Sequence, residues 1–264
     1  WLIMDKQKVT SFIRDEDLKI KMYHIVDLCN LVSKKHIPKN TDFLNPFEVK
    51  TAVSIINSDP DLKYIVDGGY PGCERAIIHI FPYYCDMDSV GAGLRFLEIK
   101  NNDKFGSANH RDYMGALLGL GIRREKIGDI LVHEKYCQIV VDEEICDFLL
   151  YNFKKVKKSN VDVREIHREL VEVPQQNYKE SSISVSSLRI DSIVASAYNL
   201  SRSESIKLVN SEWIQVNYEK ITQPSFQVEE NSIVSVRGYG KFLIKELGGI
   251  SKKGKFRLSI SKYL

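Results

Sequence analysis

With 264 residues, 43% hydrophobic and 28% charged, the chain is long enough for two or three compact units and too long for one small core. Five cysteines without a C-x-x-C pair argue against a disulfide framework and a zinc knuckle and fit reduced thiols in the cytoplasm; no run of about 18 apolar residues marks a membrane span, and no basic, apolar and small-residue order marks a signal peptide. The net charge of +3 is unevenly placed, since residues 186–264 hold 12 Lys and Arg against 7 Asp and Glu, a surplus of five that leaves the rest two units negative, a balance that attracts polyanions.

Leu18, Met22, Ile25, Cys29 and Val32 recur at helical steps before Pro38, predicting an amphipathic helix. Asn45 followed by Pro46 starts a second one, through Val49, Ala52, Val53 and Ile56. After Asp67-Gly68-Gly69, runs from Ala76 to Pro82 and from Leu94 to Lys100 read as strands. Ser107 or Asn109 caps a helix carrying Tyr113, Met114, Leu117 and Leu118, which Gly121 stops. Strands follow at Asp129–His133 and Tyr136–Val141, then a helix capped by Asp142 with Ile145, Phe148, Leu149 and Phe153. That helix ends in the basic run 154–158 before a strand from Val161 to Ile166. From Leu94 onward the order is β-α-β-β-α-β, the ferredoxin-like arrangement, with Ala76–Pro82 as an extra strand.

The polar stretch Pro174 to Ser182 marks a linker. Beyond it, Ile190, Ile193, Val194 and Ala197 form an apolar helical stripe that Asn199-Leu200 breaks. Ser201-Arg202-Ser203-Glu204 is a capping box that opens a second helix, with Ile206 and Val209 on its buried side. Arg202, Ser203 and Lys207 then stand near a helix N-terminus, where a phosphate can be seated. Short strands at Ile214–Val216, Ile233–Arg237 and across Phe256, Leu258 and Ile260 complete the module. The expected fold class is α+β, with an N-terminal helical region (1–66), a ferredoxin-like central domain (67–172), a linker (173–185) and a C-terminal module (186–264).

The succession L-R-I-D, L-S-R-S-E, V-N and V-R-G-Y-G-K resembles the S4 RNA-binding domain. In S4 domains the helix pair and adjoining loops bind structured RNA, so the resemblance implies RNA contacts at Arg189, Arg202, Ser203, Lys207, Asn217, Arg237 and Lys241. Glu212 stands where that family has glycine, and Asn231-Ser232 where it has Gly-Asp; positive φ at Glu212 would strain the backbone. Gly68-Gly69-Tyr70-Pro71-Gly72, His110 to Leu117, Leu120-Gly121-Ile122 and Ile127-Gly128-Asp129-Ile130 further resemble the YlmH family. That resemblance implies an RNA-recognition-like central domain joined to a C-terminal S4 domain in a cytoplasmic bacterial protein, encoded near cell-division genes, that binds stalled large ribosomal subunits carrying peptidyl-tRNA. Its partners would be rRNA and tRNA, with ribosomal or cell-division proteins as further candidates.

Other readings are weaker. His110-Arg111-Asp112 lacks the asparagine, glycine-rich loop and Asp-Phe-Gly of a kinase, so Asp112 is read as a cap and Arg111 as a secondary RNA contact. The basic run 154–158 suits a basic face and a helix-dipole role equally. Of Trp213, Tyr218 and Tyr239, the last is favoured to stack on a base. The central domain has no aromatic signature for single-strand readout by its sheet. No catalytic constellation, metal site or cofactor is expected. The alternatives are a ribosome-assembly factor on rRNA, a cell-division scaffold, and an S4-containing enzyme such as a pseudouridine synthase.

Overall fold

Apolar spacing and local caps set most of the elements. A computed structural model describes residues 3–85, 93–101, 108–175, 177–250 and 254–263, and the chain divides into two compact units, Trp1–Pro174 and Gln175–Leu264. Ser107, one of the two expected caps, lies outside the described residues.

The first unit opens with α1 (Lys6–Val9) and α2 (Glu16–Lys35). Asp15 caps α2 by accepting from the Leu18 amide at 2.7 Å, and Met22, Ile25, Cys29 and Val32 are buried along it as their spacing predicts. After β1 (Lys39–Asn40) comes α3 (Pro46–Ile56), whose capping box joins Asn45 and Glu48 reciprocally. Two strands follow, β2 (Leu62–Asp67) and β3 (Ile77–Pro82). The run from Ala76 to Pro82 is therefore a strand but not part of the ferredoxin-like sheet: β3 is the centre of a separate sheet, ordered β1-β3-β2. Every residue of β3 is buried, as befits a strand covered on both faces. The N-terminal region is thus helix and sheet, and it extends beyond residue 66.

The central part follows the expected order: β4 (Leu94–Asn101), α4 (His110–Gly119), β5 (Ile127–Val132), β6 (Tyr136–Asp142), α5 (Glu143–Asn152), β7 (Lys155–Val156) and β8 (Ser159–Ile166). The sheet order β5-β6-β4-β8, antiparallel throughout, is the ferredoxin-like arrangement. Its fifth strand is β7, hairpinned to β8. Asn109 and Asp112 form a capping box at α4, Asp142 caps α5 through the Glu144 amide at 2.9 Å, and Gly121 takes up φ 81 just past the end of α4.

The sheet face turned away from α4 and α5 is covered. Phe96, Val140 and Ile166 pack there against Phe43, Ile77, Tyr70 and Val171. The Gly-Gly-Tyr-Pro-Gly loop delivers Tyr70, whose hydroxyl donates to Asp129 at 2.7 Å, and the Glu74 amide donates to the same carboxylate oxygen at 2.7 Å. Two of the sequence motifs that carry the family resemblance therefore meet here. A Cβ at Gly128 would stand 2.6 Å from the Phe43 ring, so glycine is required by contact. Residues after β8 complete the cover: Gln138 donates to the Leu170 carbonyl at 2.9 Å and accepts from the Glu172 amide at 2.8 Å.

In the second unit the expected linker is, from Tyr178, strand β9 (Tyr178–Val185), paired along its length with the last strand. Its sequence reads as polar because it is an edge strand whose side chains are largely exposed. Then come α6 (Ile190–Tyr198), α7 (Arg202–Asn210), β10 (Ile214–Val216), β11 (Glu219–Lys220), β12 (Ile233–Val236), β13 (Gly240–Ile250) and β14 (Phe256–Tyr263). The sheet runs β11-β10-β12-β13-β14-β9. Both helices pack on one face of it, through Ile190, Ile193, Val194 and Val209 against Ile214, Val234, Phe242, Leu258 and Ile260. On α7 the inward residues are Ser205 and Val209, with Ile206 only half-buried.

Candidate nucleic-acid interface

Asn199 ends α6 in the left-handed region at φ 53, turning the chain so that the N-cap of α7, Ser201, follows two residues later. The Ser201 hydroxyl accepts from the Glu204 amide at 3.2 Å and the Glu204 carboxylate accepts from the Ser201 amide at 2.8 Å, the reciprocal cap expected of this sequence. Hydrogen bonds from Ser201 hold the Glu204 carboxyl below its ordinary range. The same carboxylate brings negative charge to the proposed phosphate seat, which consists of the outward side chains of Arg202, Ser203 and Lys207 rather than of the capped amides. All three residues are exposed.

The arrangement turns on Asp191, in the first turn of α6. It is completely buried, yet carries three charge-assisted bonds: Arg189 donates through Nε at 3.0 Å and Nη2 at 2.9 Å, and Arg202 through Nε at 3.3 Å. Burial raises the Asp191 carboxyl, but the bonds from Arg189 and Arg202 outweigh it and leave it below the usual carboxylate range. The arginine side chains remain 32% and 62% exposed, so each guanidinium is fixed on one edge and open on the other. Such pre-orientation suits planar, bidentate recognition of phosphate.

The structure divides the other candidates. Asn217 lies in the β10–β11 turn with φ 50, and its side-chain oxygen is engaged by the Ile233 amide at 2.9 Å. Arg237 stands over the Trp213 ring at 5.3 Å and Lys241 over the Tyr263 ring at 4.5 Å. Strand alternation sets Lys241, with Ser235 and Gln215 opposite it in register, on the sheet face away from the helices. Tyr239, 47% exposed, sits in the β12–β13 turn with its ring 5.3 Å from that of Tyr198 at the end of α6. Arg111 belongs to the other unit, exposed in the first turn of α4. Arg189, Arg202, Ser203 and Lys207 thus form one group on the helix pair, while Arg237 and Lys241 belong to the sheet.

Sequence reasoning missed three features. Asp191 lies within L-R-I-D, where an acid amid an apolar stripe signals a buried partner for cations. Lys262, which donates to the Ala197 carbonyl and stands 4.7 Å from the centre of the Tyr198 ring, carries no local signal. The covered central sheet was signalled only in β6, whose run from Tyr136 to Val141 is apolar except for Gln138 and fits burial on two faces; β4 mixes Arg95, Glu98 and Lys100 with its apolar residues and hides its cover.

A helix pair with clamped arginines, set on one face of a small sheet in a chain that also carries a ferredoxin-like domain, defines a protein of the S4 class. Residues 188–234 match the profile of the S4 domain, residues 92–169 that described as "Putative RNA-binding domain in YlmH", and residues 19–85 that of the YlmH N-terminal region. The chain is 31% identical over 232 residues to "Ribosome-associated protein quality control protein P2" of Bacillus subtilis (strain 168), covering 88% of this chain and 90% of that protein. It shares its fold with "Cell division protein ylmH" from Streptococcus pneumoniae at a TM-score of 0.53 and 21% identity, over 61% of this chain and 98% of that one. The chain belongs to the YlmH family.

Proposed function

We propose that the protein is a non-catalytic, cytoplasmic RNA-binding factor that associates with the large ribosomal subunit and holds peptidyl-tRNA on stalled subunits. The observation that carries this reading is the pair Arg189 and Arg202, both anchored on buried Asp191 beside exposed Ser203 and Lys207. Cations fixed before binding lose less side-chain freedom when they meet phosphate, and phosphate contacts orient a protein on folded RNA without reading sequence. The relative's name, which places it in ribosome-associated quality control, supports the ribosome as the setting. The role requires no bond to be made or broken: the protein stabilises one state of the particle.

The test is co-sedimentation of wild type and Arg202→Glu/Lys207→Glu with purified large subunits, with and without peptidyl-tRNA, across a salt series, with folding checked by circular dichroism. Salt-sensitive binding that prefers tRNA-bearing particles and is lost in the folded variant is the expected result. Preference for precursor particles would favour an assembly role on rRNA instead, and absence of wild-type binding would overturn the ribosomal reading.

A further inference from the structure

The lysine-rich segment after α5 is only in small part a helix-dipole device. Lys154 donates to the Leu150 carbonyl at 3.0 Å, as a C-terminal cation should. The next three lysines lie beyond the helix in the β7–β8 hairpin, where Lys155 pairs with Asn160 and Val156 with Ser159. Lys155, Lys157 and Lys158 are exposed, whereas Val156 between them is 1% exposed and sits in the core with Phe153 and Val161. The hairpin is therefore pinned from below while its charges face outward.

Its tip is also tied sideways. Lys157 forms a 2.7 Å ion pair with Asp112, the partner of Asn109 in the capping box of α4, and this ties the hairpin to the helix turn that carries Arg111. The ion pair and the Asn109 amide hold the Asp112 carboxyl below its usual range. Lys157 has φ 55, a conformation that hairpin turns normally give to Gly, Asn or Asp; lysine there keeps a charge at the expense of backbone comfort. Among the described residues Lys155, Lys158 and Arg111 have no ion-pair partner, and Asp162, the next acid along β8, lies opposite Lys100 in register. The sheet face through which an RNA-recognition-like domain would read bases is packed with Phe43, Tyr70 and Val171.

We infer that the central domain contacts RNA through this hairpin and the first turn of α4, with Lys155, Lys158 and Arg111 on the phosphate backbone of a folded RNA segment. The inference rests on the RNA-binding reading above and adds a second, separate contact to that of the helix pair. The contact is sequence-independent, because phosphate is the common element of every RNA. Arg111, read from the sequence as a secondary RNA contact, thereby gains cationic partners in the proposed surface.

The experiment measures binding of the full chain to a fluorescently labelled RNA stem-loop over a salt series. It compares wild type, Lys155→Ala/Lys158→Ala, Lys155→Arg/Lys158→Arg, the charge-matched control Lys34→Ala/Lys35→Ala, and Arg202→Glu/Lys207→Glu. The alanine pair should bind on the order of tenfold more weakly near 0.1 M salt, with the slope of log affinity against log salt reduced by roughly two. The arginine pair and the control should match wild type. If the alanine pair keeps wild-type affinity and slope while Arg202→Glu/Lys207→Glu loses binding, the hairpin inference is overturned and the functional reading stands. An equal loss in the control would overturn it as a general charge effect. Tighter hairpin-dependent binding to phosphatidylglycerol vesicles than to RNA would overturn the choice of partner, and wild type that binds no RNA would overturn both readings. Should the alanine pair fail to fold, Lys158→Glu alone, in the exposed turn, provides the same readout.

Discussion

Asp191, with no exposed surface, accepts a hydrogen bond at 3.3 Å from Arg202, whose side chain is 62% exposed. A buried anion on one helix thus determines where an exposed cation on the next helix points. Because Arg189 engages the same carboxylate at 2.9 and 3.0 Å, one residue orients two candidate phosphate ligands. Asp191→Asn retains the shape but removes the charge that holds both. It is expected to cost about 1–3 kcal/mol, the range for hydrogen bonds to charged groups, read as a lowered urea midpoint. RNA affinity should fall even where the protein remains folded. A variant with unchanged RNA binding would mean that the arginines need no anchor.

Much of this region was legible in the sequence, because caps and apolar stripes are local. The Ser201–Glu204 box and the Asn199 break each depend on residues within a few positions. Asp191 was not legible as an anchor, because its partner Arg202 lies eleven residues away and meets it only once α6 and α7 pack. The same distinction explains β3: its Ile-rich run announces a strand, but its pairing with Lys39–Asn40 and Leu62–Asp67 is non-local, so the local pattern does not say which sheet it joins. Strand β9 was hidden by polar edge residues whose pairing with β14 spans the whole second unit.

Glu212 makes the end of α7 less stable than it could be. It adopts φ 57 in a Schellman arrangement, with its own amide on the Val209 carbonyl at 2.9 Å and the Trp213 amide on the Leu208 carbonyl at 3.0 Å, a position that favours glycine. Its carboxylate stands 3.8 Å from Lys220, a distant and exposed pair of little worth. Glu212→Gly should therefore stabilise the protein by about 1 kcal/mol, visible as a higher melting temperature, and should strengthen RNA binding at low salt by removing a negative charge. A lower melting temperature would show that the Lys220 contact outweighs the strain.

The covered central sheet can be tested at Gly128. A methyl group there would meet the Phe43 ring at 2.6 Å and Val140 at 3.1 Å, and both neighbours are buried. Gly128→Ala is expected to destabilise the first unit by about 1–3 kcal/mol, as overpacking does. Amide exchange in β5 and β6 should rise with it. Wild-type stability in this variant would mean that the cover over Phe96 and Val140 is loose enough to open.

Asp67 couples that cover to pH. Its carboxylate accepts from Arg168, whose Nε also donates to the Gly69 carbonyl at 3.1 Å and whose guanidinium stands 5.6 Å from the centre of the Phe96 ring; His79 Nε2 lies 3.8 Å away on the other side. Burial alone would raise the Asp67 carboxyl, but His79, Arg168 and the Gly69 amide together hold it far below its ordinary value of 3.8. A carboxyl depressed on folding contributes stability that is complete above the unfolded value and disappears as pH falls through the folded one. The loss therefore begins below about pH 4. Asp129 runs the other way: burial raises it despite the Tyr70 and Glu74 donors, so its ionised form weakens the fold and protonation relieves it. Asp67→Asn should accordingly be less stable than wild type at neutral pH and should lose less between neutral pH and about pH 3, compared by urea midpoints at each pH. Parallel losses in the two proteins would remove Asp67 from the acid response and leave Arg168 held by the Gly69 carbonyl and the Phe96 ring alone.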